Sequence, residues 1–208
     1  MIDRVISTFV RNGITRIVIV TRTDATAIKD HVTSKGFAAS IEFVEEDTRS
    51  GLFSFFAMER ALAGESFLLS TTDVVCDEDS VARFIDFCRT TPSADVIMSV
   101  TEFVMDEKPV YAQLDENRIV RAFGRKFASG GKFVSAGMYF CSPVLYNEKQ
   151  DALRSGIEHL SDYFGWIVAK GYKVLAFPIS KVVDVDDEED LREAESFLAC
   201  DSDSAAER

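Results

Sequence analysis

Apolar residues in this chain fall into two alternating rhythms. Ile2, Val5, Ile6, Phe9 and Val10 recur at helical spacing and stop at Asn12-Gly13, a carboxyl-terminal cap signal; Ile17-Val18-Ile19-Val20 then forms a continuous apolar run of strand length. The alternation continues with a helix over about 25 to 34 closed by Gly36, a strand over 41 to 44, a helix over about 52 to 62, and the strand Phe67-Leu68-Leu69. Short strands that are apolar at every position are buried on both faces. Helices alternating with them predict a doubly wound α/β fold, a mostly parallel sheet covered on both sides and connected by right-handed crossovers.

Past Asp73 the pattern changes. A helix over about 78 to 89 and a strand over 96 to 100 keep the earlier rhythm, but 109 to 114 and 118 to 123, separated by Asp115-Glu116-Asn117, read as a hairpin. The stretch 132 to 141 reads as a long strand interrupted by Gly137, so a small antiparallel insert is expected and the sheet is mixed. A helix over 157 to 169, a strand over 174 to 178 and a helix over about 188 to 198 complete a single domain over 1 to 200, followed by a polar tail over 201 to 208.

Composition narrows the function. The 208 residues are 47% hydrophobic, enough for a full core, and carry 23 basic against 35 acidic side chains for a formal charge of −12. That balance excludes a protein that coats nucleic-acid backbones, which needs clustered Lys and Arg, and favours a small-molecule partner. Cys76, Cys88, Cys141 and Cys200 have no C-x-x-C spacing and no neighbouring histidine, so they read as reduced thiols. His31 and His159 lie in helical patterns with no nucleophile motif to activate. Neither a basic leader with an apolar stretch nor a run of 18 or more apolar residues is present, so a cytoplasmic protein with no membrane contact is expected.

The candidate chemistry lies in two acidic stations, each just beyond an apolar strand: Ser70-Thr71-Thr72-Asp73 and Val183-Asp184-Val185-Asp186. Side chains at the carboxyl ends of strands in an open α/β sheet line the ligand crevice, so Asp73 and Asp184 are placed to converge on one hard cation such as Mg2+. The alternative reading of either residue is a turn or helix-cap aspartate. For the last helix the cap falls to Asp187, with Asp190 three residues on, which frees Asp184 and leaves Asp186 a supporting position.

With these elements in place the chain resembles, over nearly its whole length, the nucleotidyltransferases that join a nucleoside monophosphate to a sugar phosphate or similar phosphorylated alcohol. The run 1 to 6 followed by 13 to 20 is similar to that family's first helix and second strand. Phe67 to Asp73 resembles its strand ending in a magnesium-binding aspartate, 134 to 143 its acceptor-lining strand, and 183 to 191 its closing acidic motif. The resemblance implies a nucleotide-diphospho-sugar transferase-like (Rossmann-like) fold, Mg2+ on Asp73 and Asp184, a nucleoside triphosphate donor and a phosphorylated small-molecule acceptor. It further implies donor contacts at Ser50, Gly51 and Thr72 and acceptor contacts at Tyr111, Lys126, Ser135 and Gly137. It places ahead of Met1 a first strand and a glycine-rich phosphate loop, on the order of 20 residues, which this sequence does not contain. Thr72 stands where the family has glycine, Ser135 where it has asparagine, and no glutamate precedes Lys126. The missing loop, Thr72 and Ser135 favour a second reading, a non-catalytic regulatory or assembly relative of the same fold; a third, a nucleotide-sugar-dependent glycosyltransferase, would carry its Asp-x-Asp pair mid-chain, whereas Asp184-Val185-Asp186 comes late.

Overall fold

A computed structural model describes residues 1–103, 109–127, 132–185 and 187–206, with side chains as far as residue 198. The first helical stripe forms α1 (Ile2–Arg11), which turns through Asn12 into β1 (Arg16–Thr21). α2 (Thr26–Ser34) leads to β2 (Ser40–Glu45), paired in parallel with β1 from Arg16↔Ser40 to Thr21↔Glu45. The helix expected over 52 to 62 is two pieces, α3 (Gly51–Ala57) and α4 (Glu59–Leu62). Met58, at φ −74 and ψ −15, unwinds the join, and left-handed Ala63 ends it.

Next come β3 (Phe67–Ser70), β4 (Val74–Cys76), α5 (Glu78–Thr90), β5 (Val96–Thr101), β6 (Tyr111–Leu114), β7 (Val120–Gly124) and β8 (Phe133–Cys141). The last third holds α6 (Lys149–Arg154), α7 (Leu160–Ala169), β9 (Val174–Pro178), β10 (Val182–Asp184) and α8 (Glu188–Ala206). α7 starts three residues later than the spacing suggests. α8 continues past its expected end at 198, because no glycine or proline stands between 188 and 206 to stop it.

The mixed α/β fold expected from the sequence is present, and β5 is its centre. All six of its residues are buried, and it pairs in parallel with β9 and antiparallel with β8. β8 also pairs antiparallel with β3, from Phe67↔Cys141 to Ser70↔Met138, and at its start with β6, the inner strand of the β6–β7 hairpin. β3, β5 and β9 therefore run one way with β8 reversed among them. Strand alternation sorts the core into two layers. Val96, Met98 and Val100 pack with Leu52, Phe55, Phe164 and Ile167, whereas Ile97 packs with Val81, Phe84, Ile85 and Cys88. Helices thus cover both faces, as double winding requires.

Two features were not legible in the sequence pattern. β1 and β3 do not pair: among the described residues β1 has only β2 as a strand neighbour and β3 only β8. A cavity of about 890 Å³ lies between them. The second feature is a three-residue antiparallel ladder, β4 with β10, running from Val182↔Cys76 to Asp184↔Val74 and packed on Ala194 of α8 through Val75 and Val183.

Candidate functional site

The β4–β10 ladder joins the two acidic stations. Asp184 lies opposite Val74, and the Val185 N–H donates to the Asp73 carbonyl at 3.1 Å, so the two aspartates share one end of the sheet. Asp73 Oδ1 is buried and makes no hydrogen bond among the described residues. Asp184 ends β10 with an exposed side chain. Asp186 lies outside the described residues. Asp187 caps α8 as expected, its Oδ1 accepting from the N–H groups of Glu189 and Asp190 at 2.7 and 3.1 Å.

Around this pair the chain gathers most of the expected contact residues. The Thr71 N–H donates to the Gly137 carbonyl, and the Gly137 N–H reaches Ser135 Oγ at 3.4 Å. Ser135 in turn shares a 2.5 Å hydrogen bond with Tyr139, whose phenol burial pushes up to about 12. Tyr111 sits one strand away, paired with Val134. Gly137 adopts φ +74, and a Cβ there would collide with Val74 Cγ2. Its missing side chain therefore accommodates the β4 turn. Gly51 and Thr72 line the same cavity as Asp73, and Gly51 faces open space. Ser50 immediately precedes α3, and its hydroxyl donates to the Glu158 carbonyl at 2.5 Å rather than capping the helix. Lys126 stands apart on the turn after β7, its ammonium 5.2 Å from the Phe127 ring centroid.

Several residues at this end escaped the sequence reading. Thr21, at the carboxyl end of β1, has a buried hydroxyl with no partner among the described residues. Just beyond it, Thr23 donates to Asp47 from its N–H and its hydroxyl at 3.1 and 2.6 Å, which holds that carboxyl below the usual range. Asp77 caps α5, accepting from the Ser80 N–H at 2.7 Å and the Ser180 hydroxyl at 2.9 Å. The rule that flagged Asp73, polar residues just past apolar strands, applies equally to Thr21 and Asp77. Positive charge reaches the same end through Arg4, whose guanidinium donates to the Cys76 carbonyl at 2.5 Å.

Elsewhere, burial raises the thiols of Cys76 and Cys88 to about 12, in keeping with structural cysteines. His31 is engaged with Asp3 at 2.8 Å. No helix among the described residues is long and apolar enough to cross a membrane.

An open sheet with helices on both faces, acidic residues meeting at the carboxyl ends of its strands and an antiparallel insert beside them define a mixed, Rossmann-like α/β architecture. The chain belongs to the nucleotidyl transferase family, whose profile matches residues 1–200. Among curated proteins none matches it in sequence. Solved structures share the fold. The inositol-1-phosphate CTP transferase from T. maritima aligns with TM-score 0.74 and 18% identity over 94% of this chain and 81% of its own. A UDP-glucose pyrophosphorylase complexed with UDP-glucose aligns with TM-score 0.75 and 12% identity over 100% of this chain and 87% of its own. HddC from Yersinia pseudotuberculosis aligns with TM-score 0.69 and 15% identity over 94% and 84%.

Proposed function

We propose that the chain transfers a nucleotidyl group from a nucleoside triphosphate to a sugar 1-phosphate or related phosphorylated alcohol, with release of pyrophosphate, in the cytoplasm. The observation that carries this reading is the β4–β10 ladder, because it brings Asp73 and Asp184 to one end of the sheet in a member of this family. The substrates named for the CTP transferase and the pyrophosphorylase of the same fold support the choice of donor and acceptor.

Magnesium fits the residues present. A buried carboxylate oxygen with no partner, as at Asp73 Oδ1, is costly unless a cation or donor meets it. Mg2+ takes oxygen ligands and needs only one or two protein carboxylates, which Asp73 and Asp184 supply, with phosphates and waters completing the shell. Bound there, it supplies charge neutralisation on the phosphate oxygens.

The remaining work belongs to the chain's own side chains. A phosphate monoester is already anionic near neutral pH, so no general base is required and catalysis rests on holding donor and acceptor in line. Gly51 and Thr72 on the cavity side, with Ser50 beside Gly51, are assigned to the nucleotide. Tyr111, Ser135 and the backbone at Gly137 are assigned to the acceptor, and Lys126 to its phosphate.

The test is a pyrophosphate-release assay over all nucleoside triphosphates and a panel of sugar 1-phosphates, with and without Mg2+. Turnover that requires Mg2+ and collapses in Asp73→Asn and Asp184→Asn supports the assignment; full turnover in those variants would sink it. A second reading, a non-catalytic relative, is favoured by one detail: Ser135 Oγ is already engaged by Tyr139. Nucleotide binding without pyrophosphate release would select that reading, and sugar transfer without pyrophosphate would select a glycosyltransferase.

A further inference from the structure

Ser99 is a polar side chain inside the apolar run Val96-Ile97-Met98-Ser99-Val100, and it is fully buried. A hydroxyl in such a place is costly unless it is hydrogen-bonded. Ser99 is bonded twice to one residue of β8: its hydroxyl donates to the Met138 carbonyl at 2.9 Å and accepts from the Met138 N–H at 3.1 Å. Those two backbone groups would ordinarily close a ladder pair with the main chain of β5. They turn to a side chain because the ladder is interrupted there. β5 and β8 pair regularly from Val96↔Cys141 to Met98↔Tyr139 and again from Val100↔Ser135 to Thr101↔Val134, so Ala136, Gly137 and Met138 together face Ser99 alone. The extra length on β8 is a bulge, and the Ser99 hydroxyl fills the gap that it opens.

The bulge decides where the groups assigned to the acceptor stand. Without it, the register of Met98↔Tyr139 would carry Ser135 to a place opposite Glu102, about 7 Å along the strand from its present partner Val100. With it, Gly137 is displaced toward β3 and β4: its carbonyl accepts from the Thr71 N–H at 3.4 Å, and its backbone lies so close to Val74 that a Cβ would collide. The bulge is closed from within by the 2.5 Å hydrogen bond between Ser135 and Tyr139, and the Tyr139 ring is fixed by stacking on Phe164 with centroids 4.5 Å apart. From β5 the hold is the Ser99 hydroxyl. Its removal would leave the Met138 N–H and carbonyl unpaired in a buried place, a cost that a shift of β8 would relieve.

We propose that Ser99 is a positioning residue for the phosphorylated acceptor: by holding the bulge at Met138 it sets the Gly137 backbone and Ser135 beside the turn that carries Asp73. This inference rests on the acceptor assignment proposed above. Ser99 acts through β8 and has no contact with substrate of its own. The groups assigned to the nucleotide, Gly51 and Thr72, stand on other segments, so losing the Ser99 hydroxyl should weaken use of the acceptor and spare the donor.

The test is steady-state pyrophosphate release by the full chain with Mg2+, varying acceptor and donor separately, in Ser99→Ala, Ser99→Cys and Ile97→Val. Ser99→Ala is expected to raise the acceptor KM about tenfold while the donor KM changes less than about twofold. Ser99→Cys nearly conserves volume and keeps a weak donor and acceptor, so it covers the case in which the alanine variant does not fold; its acceptor KM should rise about threefold. Ile97→Val removes a buried methyl from the same strand without touching the bulge and should keep both KM values of the parent. An acceptor KM unchanged in the Ser99 variants, a donor KM that rises as much, or the same rise in Ile97→Val overturns the proposal. No turnover by the parent with any acceptor would instead defeat the nucleotidyl-transfer reading. The hold on the bulge is then decided by hydrogen exchange: the Ser99 variants should speed exchange at the Ser135 and Gly137 amides about tenfold over Ile97→Val, and equal rates overturn it.

Discussion

Single residues at this site carry opposing demands of stability and function, and substitutions should separate them. Gly137 is needed for its left-handed backbone and for the absence of a Cβ beside Val74. Gly137→Ala should cost about 2 to 4 kcal/mol in denaturant unfolding, combining backbone strain with overpacking. Adding Val74→Ala should return part of the steric share, and a strictly additive double mutant would refute that account. Asp73 is the reverse case, since its buried Oδ1 contributes no hydrogen bond to the fold. Asp73→Asn should leave the thermal midpoint of the free chain unchanged or raise it, because it removes an unpaired buried charge, while abolishing a Mg2+-dependent nucleotide shift, worth about 2.7 kcal/mol at 100 times Kd in the parent chain. A large loss of midpoint in the free chain would make Asp73 structural.

Asp77 gives a pH signature. Burial alone would raise its carboxyl, but hydrogen bonds from Ser80 and Ser180 and the nearby Arg83 charge outweigh it and leave the carboxyl below its ordinary value. A carboxyl depressed in the folded state stabilises above the unfolded value of about 3.9 and loses that contribution as pH falls through the folded value. The parent should therefore exceed Asp77→Ala by about 1 kcal/mol at neutral pH, with the gap closing below about pH 4; a gap constant across that range would exclude titration of Asp77 as its source. Asp73 and Asp184 were legible as site candidates because strand ends carry ligands. The meaning of Gly137 was not, since it depends on Val74, a neighbour remote in sequence.

At the scale of elements, the long periodic segments were readable and the decisive short ones were not. α1, α5 and the strands of the central sheet follow directly from apolar spacing. β4 and β10 have three residues each and pair antiparallel across more than half the chain, too short for periodicity to register. Yet this ladder is what brings two separated acidic stations to one end of the sheet. Val185→Pro tests its role by removing the N–H that donates to the Asp73 carbonyl while leaving the side chains of both aspartates in place. The expected result is a stability loss of about 1 kcal/mol with a much larger loss of Mg2+-dependent nucleotide binding, measured by calorimetry. Binding that survives would mean that the carboxylates find their arrangement without the ladder.

Across the whole molecule, the split in the sheet predicts unequal cooperativity. β5 is buried at every position and hydrogen-bonded on both sides, whereas β2 has no fully buried residue and β1 only Thr21. No backbone ladder among the described residues carries β1 and β2 into the larger sheet, so their unit is tied to it through side-chain contacts such as Val18 and Val20 against the main core and Arg16 with Glu65 and the Ala61 carbonyl. Few buried contacts and two edges without a strand neighbour among the described residues are the physical marks of a region that opens below the global unfolding free energy. Native-state hydrogen exchange should accordingly show Ile17 and Ile19, although bonded to β2, exchanging by a lower-energy opening than Ile97 and Met98, with a smaller dependence on denaturant. Equal opening energies at the two pairs would show that helix packing alone couples the two sheets into one cooperative unit, and that the cavity between them costs the fold nothing in cohesion.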